Sequence, residues 1–419
     1  MHNIKKEENN AILVGIDSDN EIDIHGSMEE LKELAHTAGI NVCGQLIQKL
    51  DRPHPATYLG KGKLEELKDQ IKWDDANMVI FNDELSPAQF RRLGDALECG
   101  VVDRTMLILD IFAMGANSSD GKLQVELAQY RYRLSRLSGM GKVLSRLGGG
   151  IGTRGPGETK LETDRRHIRN RIQNLEAQLK EIAKNRETMR KKRARNEAFQ
   201  AALVGYTNAG KSTIFNLFSQ ADVLAKDKLF ATLDTTVRRI ELEGGAQILL
   251  SDTVGFIEKL PHHLIQAFRA TLDELRYADV LLVVIDAANP LRHMQIDVVM
   301  QTLDSLDLGE TNIIAVFNKM DKDVELPLPN NIKANKIVEL SAKTGQGAEG
   351  LLAAIQEIYN SSKNHMTILI PYEHGKIISY IHENCDVIKE AHEQEGIFFE
   401  IIADNEAKNK LMPYKHAFL

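Results

Sequence analysis

The chain has 419 residues, 43% hydrophobic and 27% charged, with a formal charge of −8; this is enough for two or three cored domains and excludes a disordered composition. The longest strongly apolar run, Val280 to Ile285, is far too short to cross a bilayer, and Met1 to Asn10 lacks an apolar signal-peptide core, so neither a transmembrane segment nor secretion is expected. Cys43, Cys99 and Cys385 lie far apart without a C-x-x-C pair, which excludes a readable disulfide framework and suits buried thiols in a reducing cytoplasm.

Residues 1–115 read as an N-terminal α/β domain. Ala11 to Asp17 is an apolar strand, and Ser27 with Glu30 three residues on predicts a capping box opening a helix to about Ala38. A strand at Ile40 to Lys49, a helix near Lys63 to Trp73, a strand at Met78 to Asn82, a helix after Ser86-Pro87 and a strand at Val101-Val102 follow. That alternation is expected of a mainly parallel sheet with helices on its faces.

Residues 116–197 change period. Leu123, Leu127, Tyr130, Leu134 and Leu137 are spaced four, three, four and three, and Ile168, Ile172, Leu175, Leu179 and Ile182 repeat the spacing. Two apolar stripes joined by a turn region predict a long antiparallel helical hairpin, with an intermolecular coiled coil as the alternative. Between them, residues 139–157 hold eight glycines, a loop whose backbone can come very close to another surface. Residues 131–195 carry 19 Lys and Arg against six acids, a net of +13 that leaves −21 for the rest of the chain. A basic arm on an acidic molecule suits contact with folded RNA confined to that arm, through Lys142, Arg146, Gly149, Gly150 and Arg154 of the tip and Arg165 and Arg166 beyond it. Lys61 and Lys63, beside Gly60 and Gly62 in the first domain, are read at least as well as an exposed turn before the Lys63 helix as they are as RNA contacts.

Residues 198–363 return to strand and helix. The strand Phe199 to Val204 runs into Gly205-Tyr206-Thr207-Asn208-Ala209-Gly210-Lys211-Ser212, a G-x-x-x-x-G-K-S loop followed by Thr213. Its amides and the following helix N-terminus would face phosphates, Lys211 would neutralise their charge, and the Ser212 hydroxyl would ligate Mg²⁺. The strand Ala246 to Ser251 ends in Asp252-Thr253-Val254-Gly255, placing a carboxylate within a water of Mg²⁺ and the Gly255 amide where it can sense a γ-phosphate. After the strand Thr311 to Phe317 comes Asn318-Lys319-Met320-Asp321, whose last carboxylate can accept both hydrogen bonds from guanine N1 and its exocyclic amine. Adenine offers no such donor pair. After the strand Lys336 to Leu340, Ser341-Ala342-Lys343 would present the Ala342 amide to the guanine carbonyl. Residues 364–419 read as a small βαββα domain: Met366 to Ile370, Glu373 to Asn384 after Pro371, Val387 to Lys389, Ile397 to Ala403 and Asn405 to Leu411. His262-His263 reads as surface rather than as a metal site.

The nucleotide array resembles the translation-factor-related class of P-loop GTPases, which implies GTP and GDP as ligands. Within that class Phe230-Ala231-Thr232-Leu233-Asp234 looks like the first switch, with Thr232 as the residue that closes on Mg²⁺ and Thr235 and Thr236 as competing choices. Lys211, Thr232 and Gly255 are then the candidate catalytic groups. Phe256 stands where many such enzymes carry a glutamine that orients water, so slow intrinsic hydrolysis is expected. Asn208 makes K⁺ a further candidate cation. Gly148 to Arg166, Pro55 to Lys63 and Lys122 to Tyr130 resemble the signatures of the HflX-type GTPases over nearly the whole chain. Lys160 and Thr235 depart from that pattern, where glutamine and proline are usual. The resemblance implies a monomeric cytoplasmic GTPase that binds the large ribosomal subunit, not DNA, and in its GTP form helps split or rescue stalled ribosomes under stress. Two other readings stay open: a switch acting on a protein or membrane-linked partner, and an RNA-binding scaffold whose nucleotide only stabilises the fold.

Overall fold

The computed structural model describes residues 9–18, 23–138, 156–194, 199–219, 229–230, 236–243, 245–259, 273–308, 311–322, 332–362, 364–403 and 405–415. Near the N-terminus four parallel strands, β1 (Asn10–Asp17), β2 (Asn41–Lys49), β3 (Met78–Phe81) and β4 (Gly100–Asp103), lie in the order β2-β1-β3-β4. Both faces of β1 are covered, because alternate residues enter separate apolar clusters: Ala11 and Leu13 in one, Ile12, Val14 and Ile16 in the other. Helices α1 (Ile24–Thr37), α2 (Lys61–Trp73), α3 (Pro87–Leu97) and α4 (Arg104–Gly115) complete this layer.

Two local expectations are corrected here. The Ser27–Glu30 pair does not cap α1; Asp23 does, accepting from the Gly26 amide at 3.0 Å. Ser27 Oγ instead accepts from Asn82 Nδ2 at 2.9 Å, and Glu30 is drawn into an ion pair with Arg104. A tertiary charge partner has won over a local cap. By contrast, α3 carries a complete capping box, with Gln89 N donating to Ser86 Oγ at 3.3 Å and Ser86 N to Gln89 Oε1 at 2.8 Å. The helix α4, apolar nearly all round and buried, has no stripe for a periodicity argument to find. The cysteines are half-buried rather than fully buried.

The two stripes pack as a hairpin of α5 (Ser119–Ser138) and α6 (Pro156–Ala194), in which Leu127, Ile172 and Leu175 form the buried centre and Leu123, Tyr130, Leu134, Ile168 and Leu179 flank it. Arg131–Glu176 at 2.7 Å and Arg171–Glu126 at 2.6 Å cross its exposed edges. Pro156 and Gly157, expected in the glycine-rich loop, instead open α6; proline's fixed φ and missing N–H suit a first helical turn. Residues 139–155 of the tip lie outside the described residues.

The nucleotide domain is built on β5 (Gln200–Gly205), β6 (Thr236–Glu241), β7 (Gln247–Asp252), β8 (Val280–Asp286), β9 (Asn312–Asn318) and β10 (Lys336–Glu339), in the order β10-β9-β8-β5-β7-β6. All pair in parallel except β6, which runs antiparallel to β7. That edge strand was not anticipated; its exposed Arg238 and Arg239 break the apolar alternation. The helices α7 (Lys211–Ser219), α8 (Arg292–Ser305) and α9 (Ala348–Ser362) cover the sheet. At the C-terminus β11 (Asn364–Ile370), α10 (Gly375–Asn384), β12 (Asp386–His392), β13 (Ile397–Ala403) and α11 (Asn405–Leu411) give the expected βαββα order, with strands in the antiparallel order β11-β13-β12. A 3-10 turn at Tyr372–His374 precedes α10, and β12 runs on to His392, three residues past the expected end.

Candidate nucleotide site

The four nucleotide elements meet at the C-terminal ends of the parallel strands, where the β5 chain turns into α7. Gly210 has φ +99°, and a Cβ there would lie 2.1 Å from Asn318 Nδ2. Its absence lets Asn318 brace the loop: Nδ2 donates to Ala209 O at 2.9 Å, while Oδ1 accepts from Ala342 N at 2.9 Å. One buried amide thereby joins the P-loop, N-K-x-D and S-A-K segments. Gly255 is just as confined, since a Cβ would fall 2.9 Å from Thr207 Cα and 3.0 Å from Lys211 Nζ. The strand-like pairing continues past β5, with Phe256 N donating to Gly205 O at 3.0 Å and Thr207 N to Phe256 O at 2.8 Å.

Lys211 is buried, and its Nζ donates to Gly205 O at 3.1 Å and Tyr206 O at 2.7 Å. Burial pulls the ammonium pKa down to about 8, with the Asp252 carboxylate opposing. Ser212 Oγ donates to Asp252 Oδ2 at 2.8 Å. A hydroxyl and a carboxylate side by side at a helix start are hard oxygen donors of the kind Mg²⁺ takes, and they fit that ion. Thr253 is tied away from them, its hydroxyl donating to Leu203 O at 2.6 Å. Thr207 and Val254 are buried beside the loop, while Asn208, in the left-handed region at φ +59°, is half-buried. Thr213 lies in the first turn of α7.

At the N-K-x-D end, Ser341 Oγ donates to Asp321 Oδ1 at 2.7 Å, and this hydrogen bond holds the carboxyl below its ordinary range. Asp321 remains exposed, its carboxylate open to a ligand. Lys319 pairs with Asp286 at 2.7 Å, Met320 is half-buried and Lys343 is exposed. The Ala342 amide differs from expectation. It donates to Asn318 Oδ1 rather than being left open for a base carbonyl, since Ala342 is buried and its N–H needs a partner.

Other expected residues also lie elsewhere. Phe230 is buried against Phe112 of the first domain, ring centroids 4.5 Å apart and nearly perpendicular, and so packs at a domain seam. Thr236 opens β6 opposite Asp252. Ala231, Thr232, Leu233, Asp234 and Thr235 lie outside the described residues, as do Lys142, Arg146, Gly149, Gly150, Arg154, His262 and His263. Arg165 donates to Leu137 O at 2.6 Å, closing the hairpin below its tip, whereas Arg166 is exposed. Lys61 and Lys63 sit in the first turn of α2, the latter paired with Glu66 at 2.7 Å.

Sequence reasoning missed the seam between the first domain and this site. The Tyr206 hydroxyl donates to Glu30 and accepts from Glu258 N at 2.7 Å; Lys259 Nζ pairs with Asp83 at 2.8 Å. One apolar cluster runs across the same seam, including Ile108 and Phe112 on one side and Tyr206, Phe230 and Phe256 on the other. The only sequence signal was a charged residue, Arg104, at the head of an apolar stretch.

Three family models match the chain in succession: residues 25–113 match "GTP-binding GTPase N-terminal", 115–193 "GTP-binding GTPase Middle Region" and 200–319 "50S ribosome-binding GTPase". The GTPase HflX of Lacrimispora saccharolytica is 48% identical over 415 residues, covering 99% of this chain and 98% of that protein. The GTPase HflX of Escherichia coli is 43% identical over 390 residues, covering 92% and 91%. Among solved structures, a GTP-binding protein from Sulfolobus solfataricus in complex with GDP is 23% identical, covers 84% of this chain and 99% of its own, and has a TM-score of 0.43. With four nucleotide elements gathered at one sheet edge and near-full-length identity of this size, the chain belongs to the HflX family of GTPases and is a GTP hydrolase.

Proposed function

We propose that this GTPase binds the large ribosomal subunit through its helical hairpin and, in the GTP state, splits or rescues stalled ribosomes under stress. The observation that carries the reading is Phe256. It is 2% exposed and is held by backbone hydrogen bonds on both sides, so its ring cannot orient an attacking water. Hydrolysis therefore awaits an activator that rearranges the second switch, the segment from Asp252 onward. The basic hairpin suits a ribosomal activator, and the match to the 50S ribosome-binding GTPase family, with the HflX relatives, supports the same partner. Among the described residues no helix is long and apolar enough to cross a membrane.

In this reading the chain divides at residues 115, 197 and 363. Residues 205–213, 252–255, 318–321 and 341–343 hold GTP or GDP, Ser212 and Thr232 hold Mg²⁺ with Asp252 behind them, and Lys211, Thr232 and Gly255 serve the chemistry. Bound Mg²⁺ would supply charge neutralisation between phosphate oxygens. Asn208 lies where it could help seat K⁺ beside the phosphates, so single-turnover hydrolysis should be faster in K⁺ than in Na⁺; equal rates would remove this cation from the scheme. Tip residues of 139–155, with Arg166, would contact ribosomal RNA.

The deciding experiment is multiple-turnover GTP hydrolysis with and without purified large subunits, repeated at rising salt. Stimulation that weakens with salt is the expected result. Absence of stimulation, or stimulation by a protein partner alone, would sink the ribosomal reading.

A further inference from the structure

The first domain places polar groups at the C-terminal ends of its own parallel strands, the edge where open α/β sheets ordinarily take a ligand. Asn82 and Asp83 follow β3, and Asp103 and Arg104 lie at the end of β4. Here that edge engages two other parts of the same chain. On one side Asp103, fully buried, gathers the hairpin: Tyr132 donates to its Oδ1 at 2.8 Å and Arg136 pairs with its Oδ2. The same carboxylate accepts from the Leu85 and Met106 amides at 3.0 and 2.9 Å, which caps α4. On the other side the next residue, Arg104, donates to Asn82 Oδ1 at 2.9 Å and pairs with Glu30. The second carboxylate oxygen of Glu30 accepts from the Tyr206 hydroxyl, and that hydroxyl accepts from the Glu258 amide of the second switch.

We propose that the line Arg136–Asp103–Arg104–Glu30–Tyr206, buried at Asp103, Arg104 and Tyr206, is a positioning relay joining the hairpin to the second switch, so that the nucleotide state and the seating of the hairpin bias each other. The chemistry at each joint supports this. Asp103 and Arg104 are consecutive at the rigid start of α4, so a pull on the carboxylate moves the guanidinium. Arg104 is 1% exposed, and a buried cation strongly favours keeping its carboxylate partner. Tyr206 holds both Glu30 and the Glu258 amide with one oxygen, three residues beyond Gly255, where a γ-phosphate would draw the backbone. A shift of the second switch therefore changes what Glu30 is bonded to. A second tie, Tyr58 to Asp83 to Lys259, runs alongside and leaves from the next residue after Asn82.

Coupling along the line is read as a difference between two nucleotide states. The relay deepens the ribosomal reading but is tested first without ribosomes. Amide hydrogen exchange at Leu85 and Met106, both donors to Asp103, is compared with GDP and with a non-hydrolysable GTP analogue bound. In the wild type the rates should differ by on the order of tenfold between the two states. In Glu30→Gln the difference should fall below about twofold, while nucleotide-dependent protection of the P-loop itself persists. Tyr206→Phe removes both hydrogen bonds but keeps the ring, and gives the same readout should Glu30→Gln fold poorly. No difference in the wild type, or a difference retained in the variants, overturns the relay. A second arm uses large subunits: Arg136→Ala should still co-sediment and keep basal hydrolysis, yet lose about tenfold of the stimulation, with Arg136→Lys recovering part of it. Undiminished stimulation in Arg136→Ala also overturns the relay. A wild type that large subunits fail to stimulate refutes the ribosomal reading alone, and the exchange result then decides the relay.

Discussion

The brace formed by Asn318 makes the most searching prediction. Asn318→Ala removes its bonds to Ala209 O and Ala342 N and leaves a buried carbonyl and a buried amide without that partner. At about 1–3 kcal/mol for each, the variant should lose about 2–6 kcal/mol of stability. Gly210→Ala should lose the same bonds by another route, because its methyl would stand 2.1 Å from Asn318 Nδ2. A side chain at φ +99° adds about 1–2 kcal/mol of backbone strain. If the glycine is there to admit Asn318, the two changes remove one interaction and their costs cannot add. In the Asn318→Ala background, Gly210→Ala should cost only its strain, giving a coupling energy equal to the shared bonds, about 2–6 kcal/mol. Urea unfolding of nucleotide-free protein measures the cycle, and GDP titration of each variant shows whether the same brace shapes the binding loop. Costs that add to within about 0.5 kcal/mol would refute the reasoning and leave strain as the glycine's whole role.

The buried Lys211 gives a pH dependence whose sign follows from its pKa of about 8 in the protein without nucleotide. Bound phosphate favours the ammonium and raises that pKa, so GDP affinity should be flat below about pH 8 and fall above it by up to about tenfold per unit; an affinity unchanged to about pH 9.5 would be the contrary result. Stability of the nucleotide-free fold runs the other way: between about 8 and the ordinary 10.5 the unfolded chain binds more protons, so urea midpoints should rise with pH across that window. Asp321→Asn should weaken GDP binding on the order of a hundredfold and gain affinity for xanthosine diphosphate, which competition binding can read; unchanged guanine preference would remove Asp321 from base recognition. Leu175→Ala, at a fully buried position of the hairpin, should destabilise the hairpin by about 2–5 kcal/mol in urea unfolding, and a loss under about 1 kcal/mol would show that the hairpin core is looser than its packing implies.

Much of this molecule was legible because its signals are local. The P-loop, D-x-x-G, N-K-x-D and S-A-K strings each follow a strand, and parallel-sheet topology carries strand ends to one edge. The hairpin stripe was equally readable, since Leu127 and Leu175 lie on helical periods that only a partner helix can cover. What failed was non-local. Ser27 and Glu30 have the spacing of a cap, but spacing says nothing of the Arg104 that lies 74 residues away and takes the glutamate. Phe230 sits in a string resembling a switch, yet its ring is claimed by Phe112. The Ala342 amide was assigned to the base because the Asn318 side chain that occupies it is unconstrained by any nearby spacing.

The Phe112–Phe230 contact also sets a length scale. Phe230 is fastened to the end of α4, and Thr236 is fastened into the β6 edge of the nucleotide sheet. Six peptide steps separate them, so an extended chain can span at most about 20 Å. While the two rings stay in contact, the backbone at Phe230 and the backbone at Thr236 cannot part by more than that. A parting of α4 from β6 beyond that span would first have to separate the two phenyl rings, so an aromatic contact outside the chemistry limits how far those elements can move apart.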